Sequence, residues 1–230
     1  MSGSSAVPVI TIDGPSGAGK GTVALALANH FGFHLLDSGA VYRAAAIITQ
    51  MASADIQSES DVLAALDRYH ARFQPERNRG VSVFINEKDV TDMLRTQSIA
   101  EIASQIAVMP KVREALLDEQ RSFRQPPGLV ADGRDMATVV FPDAPVKVFL
   151  TASVQERASR RAKQLKEKGI ETTMPTLIAE IESRDERDST REHAPLVAAK
   201  DALLIDSSSL SIAQVVDRIV VAVNKTMHTV

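Results

Sequence analysis

Residues 14–22 read Gly-Pro-Ser-Gly-Ala-Gly-Lys-Gly-Thr, directly between the apolar run Val9-Ile10-Thr11-Ile12 and a helical stretch reaching about His30. A glycine-rich turn that leaves a buried strand and opens a helix is the setting in which backbone N–H groups wrap a polyphosphate. Gly14, Gly17 and Gly19 allow the backbone to curl closely, where a side chain would block the approach. The new helix directs its positive end at the same point. Pro15, Ser16, Ala18 and Gly21 complete the cradle. Lys20 adds a charge that reaches β- and γ-phosphates, and Thr22 a hydroxyl for a metal ion. The usual pattern puts Ser or Thr immediately after the lysine, but Gly21 intervenes here.

A second short apolar strand, Phe33 to Leu36, ends at Asp37-Ser38-Gly39 and gives way to a helix with an apolar face. Strand, helix, strand, helix at this spacing implies parallel strands joined by right-handed crossovers. Leu129–Asp132, Val146–Leu150 and Ala202–Asp206 supply three more strands. The expected fold class is therefore α/β, a P-loop NTPase-like core whose five-stranded parallel sheet carries helices on both faces. Residues 60–95 break the rhythm, with a helical Asp61–Tyr69 and short strands at Ala71–Phe73, Val81–Asn86 and Asp89–Thr91. They read as an inserted antiparallel lobe, leaving 1–59 and 96–230 as the core. A helical stretch from Gln97 to Arg124 is interrupted near Pro110, and the segment Val215–Val223 reads as an amphipathic helix packing on the core.

A net charge of −3 argues against a general nucleic-acid binder. The chain has no cysteine, which excludes disulfides and thiolate chemistry and suits a reducing cytoplasm. Met1–Pro8 lacks the basic and apolar regions of a secretory signal, and no stretch approaches the ~20 apolar residues of a membrane span. The expectation is a soluble cytoplasmic monomer without nucleic-acid or membrane partners.

Arginine outnumbers lysine, and its placement matters more than its number. Arg157, Arg160 and Arg161 share one helical face, and Arg184, Arg187 and Arg191 share another, with Asp188 beside them. Either face alone reads as a solvated surface laced with Glu156, Glu180 and Asp185. Together, flanking Lys163, Lys166 and Lys168 in a chain with a phosphate loop, they read as a closing lid within about 152–191. Such a lid would neutralise charge on a phosphoryl group in transit and exclude water. Asp132 closes a buried strand, where an acid can hold a metal's water shell, although acids also end strands for turn reasons. Ser38 and Arg43 lie at the carboxyl end of a parallel strand, where ligands bind, and Arg134 follows Asp132 by two residues. Ser38, Arg43 and Arg134 are candidates to grip an acceptor phosphate. The five histidines have no metal-ligand spacing. A GTPase-type switch would read guanine through Asn-Lys-x-Asp, but the only Asn-Lys, Asn224-Lys225, continues Thr226-Met227.

These residues, with the Gly-Lys-Gly-Thr loop ending, resemble the bacterial cytidylate kinases over nearly the whole chain. The likeness runs through Leu35–Arg43, Arg95–Gln97, Ala103–Gln105, Val112–Leu116, Ala131–Met136, Thr138–Ala144 and Ala194–Leu196. It implies transfer of the γ-phosphoryl group of ATP to CMP or dCMP, with Mg2+, and an acceptor region enlarged by the inserted lobe. It implies Ser104, Arg113 and Asp135 around the cytosine, and Arg43, Arg134 and Arg191 at the phosphate. Tyr42, Arg184 and Asp188 fall near the sugar. Lys20, Arg134, Arg157, Arg161 and Arg191 are the implied catalytic cations, and Thr22 and Asp132 the metal's neighbours. Ala137 departs from the glycine usual at that position; a positive φ there would strain the turn. Other acceptors on the same scaffold, AMP, UMP or shikimate, are the alternatives that Ser104, Arg113 and Asp135 weigh against.

Overall fold

The computed structural model describes residues 7–76, 80–167 and 169–227; the readings on Met1–Ala6, Lys168 and His228 lie outside them. Five parallel strands form the main sheet: β1 (Val9–Asp13), β2 (His34–Asp37), β6 (Leu129–Gly133), β7 (Val146–Thr151) and β8 (Leu203–Asp206), in the spatial order β2-β6-β1-β7-β8. Every residue of β1 is buried, because β6 and β7 flank it and helices cover both faces. That is why its sequence runs apolar without alternation. The helices α1 (Lys20–Phe31) and α8 (Ile212–Met227) cover one face; Val215, Ile219 and Val223 of α8, spaced by four, are the buried stripe expected of the tail segment. Met136, Val140 and Phe141 pack on the other face beneath Leu36, Leu129 and Ala131.

Strands β3 (Ala71–Glu76), β4 (Gly80–Ile85) and β5 (Lys88–Asp89) form a separate antiparallel sheet. A second core lies between it and the helices α2 (Ser38–Met51), α3 (Glu59–Leu66) and α4 (Gln97–Ile106). The helix α3 starts before the expected Asp61, because the Ser58 side chain caps it by accepting from the Asp61 N–H. The long helical stretch divides where expected, α4 ending at Ile106 and α5 (Pro110–Ser122) beginning on its proline. The helices α6 (Val154–Glu167) and α7 (Met174–Thr190) pair through Ala158, Leu177 and Ile181. One feature absent from the sequence reading is a single π-helical turn at Met136–Val140, directly after Asp135. Ala137 keeps a negative φ within it, so alanine in place of glycine strains nothing.

The sheet order leaves β1 central, with connections departing to both sides, and so opens a crevice at the strands' carboxyl ends. Asp13, Asp37, Asp132 and Asp206 all stand on that rim, with Asp13 opposite Gly133 and Asp37 opposite Asp132.

Candidate active site

The phosphate loop connects β1 to α1 under tight steric control. A Cβ on Gly14 would fall 1.9 Å from the Leu150 carbonyl oxygen of β7, so only glycine passes there. Gly19 caps α1 at φ 95°, a left-handed conformation that glycine adopts without penalty. Lys20, the first residue of α1, donates to the Pro15 carbonyl at 3.1 Å and lies 3.8 Å from Asp132 Oδ1. Burial and the neighbouring Arg134 charge push its ammonium down to about 8. Burial pushes the Asp132 carboxyl up to about 6, against the pull of Lys20. The pair is thus poised to titrate on either side of neutrality.

Two cavities meet at this loop. Ser16, Gly17, Gly19, Gly21, Thr22, Asp37, Arg43, Asp132 and Arg184 line both. Gly14, Pro15 and Ala18 shape the loop without lining either; the Ala18 carbonyl instead accepts from Arg160 and Ser207. The larger cavity, about 850 Å³, adds Arg157, Arg160, Arg161 and Lys163 from α6, and Gly80, Val81, Thr91, Leu94 and Arg95 from the 60–95 stretch. The smaller, about 340 Å³, brings together Ser38, Tyr42, Arg43, Ser104, Arg113, Arg134, Asp135, Arg184, Asp188 and Arg191. Those ten residues come from five separate parts of the chain. None of the described residues among 60–95 lines this smaller cavity, whose outer wall is α4 and α5.

Charge pairs organise the smaller cavity. Asp135 is bonded to Arg113, and Arg191 lies 3.7 Å from its other oxygen. Arg134 donates to Asp188 at 2.8 Å; burial alone would raise the Asp188 carboxyl, but Arg134 outweighs it and holds the group below its ordinary value. Arg43 pairs with Asp37 at 3.0 Å. Burial and the Arg134 charge press the Arg184 guanidinium down to about 10. Four buried polar atoms at the cavity have no hydrogen-bond partner among the described residues: Tyr42 Oη, Ser104 Oγ, Arg184 Nε and Arg191 Nη2. Buried polar groups are rarely left so, and a cluster of them calls for a polar ligand. Ser38 is partly committed, since its hydroxyl donates to Gln120 Oε1 at 2.7 Å.

The arginines of α6 and α7 divide in their contacts. Arg157, only 3% exposed, grips Asp185 through both Nη atoms at 3.0 and 2.5 Å, and donates to the Ser16 carbonyl at 3.0 Å. It braces the phosphate loop from behind rather than reaching into solvent. Arg160 also meets the loop, at the Ala18 carbonyl. Arg161 crosses the cleft to Gln97 Oε1 on α4 at 2.9 Å. Arg187 stands outside both cavities, 3.8 Å from Glu101.

The sequence assigned no role to Gln120, Asp185 or Asp13, although Asp13 lies in the family-like block Ile12–Thr22. Asp185 looked like one of many surface acids, and Gln120 carries no motif. Asp13 had a signal, an acid closing a strand whose other residues are apolar but for Thr11. Among the described residues no group of three or more His, Asp or Glu is placed to hold a metal ion. Exposed Thr22 and the Asp132 carboxylate line the same cavity, a donor set that fits a cation of the Mg2+ kind, which keeps several waters and takes its other ligands from phosphate.

The model of the cytidylate kinase family matches residues 10–225. Cytidylate kinases of Proteus mirabilis (strain HI4320), Escherichia coli (strain K12 / DH10B) and Colwellia psychrerythraea (strain 34H / ATCC BAA-681) are similar to this chain, at 55%, 53% and 50% identity. The matches cover 92%, 92% and 94% of this chain and 94%, 92% and 96% of those proteins. With a match that spans both cavities from the first strand to the last helix, the chain belongs to the cytidylate kinase family.

Proposed function

We propose that this kinase moves the γ-phosphoryl group of ATP onto the phosphate of CMP or dCMP with the donor in the larger cavity and the acceptor in the smaller. The observation that carries the assignment of sites is the convergence of ten polar residues on one pocket that opens onto the phosphate loop. An oxygen of the acceptor phosphate forms the new bond to the γ-phosphorus while the bond to the β–γ bridging oxygen breaks, and ADP leaves. That oxygen is already ionised near neutral pH, so no side chain need act as a base; positioning and charge neutralisation carry the catalysis. Arg43, Arg134 and Arg191 hold the acceptor phosphate. Lys20 and Arg184, at the meeting of the cavities, offset charge on the transferred group. Arg161 closes from the lid, and Arg157 acts by fixing the loop. A divalent cation, held by the Thr22 hydroxyl and through water by Asp132, would draw charge from the β- and γ-oxygens. Helices α4 and α5 wall the acceptor pocket, and the stretch 60–95 closes the donor cavity opposite α6. The absence of cysteine favours a cytoplasmic setting, and we take the protein to act as a monomer.

Base choice follows from Asp135. Its carboxylate accepts from the exocyclic amine of cytosine, as acids do with that group elsewhere, whereas uracil would present an oxygen and meet repulsion. Ser104 and Arg113 supply further contacts to the ring. The test is ADP release from ATP and Mg2+ with one monophosphate at a time. Turnover with CMP and dCMP and little with AMP, UMP or GMP is expected. Asp135→Ala is expected to lower kcat/KM for CMP by about a hundredfold, the loss of charged hydrogen bonds in a buried site, with the KM for ATP unchanged. Equal loss toward both substrates would overturn the base-reading role.

A further inference from the structure

Asp13 ends β1 one residue before the phosphate loop, and it is 2% exposed. It lines neither cavity, yet its carboxylate is fully engaged: Oδ1 accepts from the Met136 N–H and Oδ2 from the Ala137 N–H, both at 2.8 Å. Those are the first two N–H groups of the π-helical turn. The residue just before them is Asp135, whose carbonyl accepts from Val139 and Val140 at 2.9 and 3.2 Å. Asp135 is therefore held from its carbonyl side by the turn, while Asp13 anchors the turn itself. Two adjacent N–H donors need two acceptor atoms on one rigid plane. A carboxylate supplies them; an amide would turn an NH2 against one of the donors.

We propose that Asp13 is a positioning residue for nucleobase selection: by clamping residues 136 and 137 it fixes Asp135 in the acceptor pocket and ties that pocket to the phosphate loop. The inference rests on the reading of Asp135 as the base-selecting acid. The arrangement is costly, which argues against an incidental contact. Burial pushes the Asp13 carboxyl up to about 6, and the Asp135 charge adds to the shift, although both backbone bonds and Lys20 oppose it. The loop side is equally constrained, since the next residue, Gly14, is pinned beneath Leu150. A shift of the turn would thus move Asp135 against a fixed donor site, and small misplacements in such sites cost large factors in rate.

The test is steady-state kinetics on the full chain for Asp13→Asn, Asp135→Asn and the double variant, with CMP, UMP and ATP varied in turn. Asp13→Asn is expected to raise the KM for CMP and narrow the CMP-over-UMP ratio of kcat/KM about tenfold, the effect of one lost hydrogen bond to a charged group. The KM for ATP should stay unchanged. In the Asp135→Asn background the further change in that ratio should vanish, because the two act as one unit. Additive effects, or equal changes for ATP and CMP, would reduce Asp13 to a structural role and overturn the proposal. An unchanged ratio in Asp135→Asn alone would instead overturn the base reading on which it rests. Should Asp13→Asn fail to fold, Asp13→Glu keeps the charge while displacing the carboxylate from the two donors; the same readouts apply.

Discussion

Lys20 and Asp132 lie 3.8 Å apart at the floor of the site, and on the proposed donor assignment their titrations bound the pH range for donor binding. On that assignment, an Asp132 carboxyl protonated below about 6 would no longer draw a hydrated cation, and Lys20 above about 8 would lose the charge meant for the phosphates. With CMP saturating, kcat/KM for ATP should follow a bell with limbs near those two values, and Asp132→Asn should lose the acid limb. A profile flat from pH 5.5 to 9 would remove the pair from the donor site. Much of the site was legible at this scale, for reasons of spacing along the chain. The phosphate loop is contiguous, so its chemistry reads from nine residues. Asp135 and Arg113 are far apart and surfaced only through resemblance, whereas Arg191 stood out on an arginine face. Asp13 and Gln120 act through backbone and side-chain partners that folding alone supplies, so their roles were not readable from residue type.

At the scale of elements, α4 joins the acceptor pocket to the lid. Its Ser104 reaches into the smaller cavity, while Gln97 accepts from Arg161 and donates to Glu180, and Glu101 meets Arg187. The contacts across the cleft are exposed, and contacts of that kind are worth about 0–1 kcal/mol each. They hold the helices α6 and α7 weakly, as the proposed closing lid requires. Hydrogen exchange over 154–167 and 174–190 should therefore slow when both nucleotides bind, and Gln97→Ala should speed it in the ligand-free protein by a few-fold, within what such contacts supply. Exchange indifferent to nucleotides would discard the clamp. The strand and helix order was legible here because strong apolar runs and Pro110 marked it. The π-helical turn was not, since five residues carry no period and only the Asp13 carboxylate holds their first N–H groups.

On the scale of the whole molecule, the site opposes the stability of the fold that carries it. Asp13 and Asp132 ionise near 3.8 when hydrated and near 6 when buried here, so between those values the folded chain holds protons that the unfolded chain has lost. Stability must then rise as pH falls through 6 and level off below 3.8. A shift of that size corresponds to roughly 3 kcal/mol per group. The carboxyls held low by partners, Asp188 and Asp143 among them, add stability that is lost only as pH falls below their ordinary range. Lys20 acts between about 8 and 10.5, outside the window. The melting temperature of the ligand-free protein should thus climb by about 5–10 °C from pH 7.5 to 5, at the few degrees per kcal/mol usual for a chain of this size. Asp132→Asn should roughly halve the climb. A melting temperature flat over that range would mean that the two carboxylates are hydrated rather than buried. The donor binds where both members of the Lys20–Asp132 pair are charged, so saturating ATP and Mg2+ should stabilise the fold most between about 6 and 8 and move the optimum upward. The pH at which the empty protein is most stable and the pH at which it works therefore differ, because the buried charges that serve the phosphates destabilise the fold in their absence.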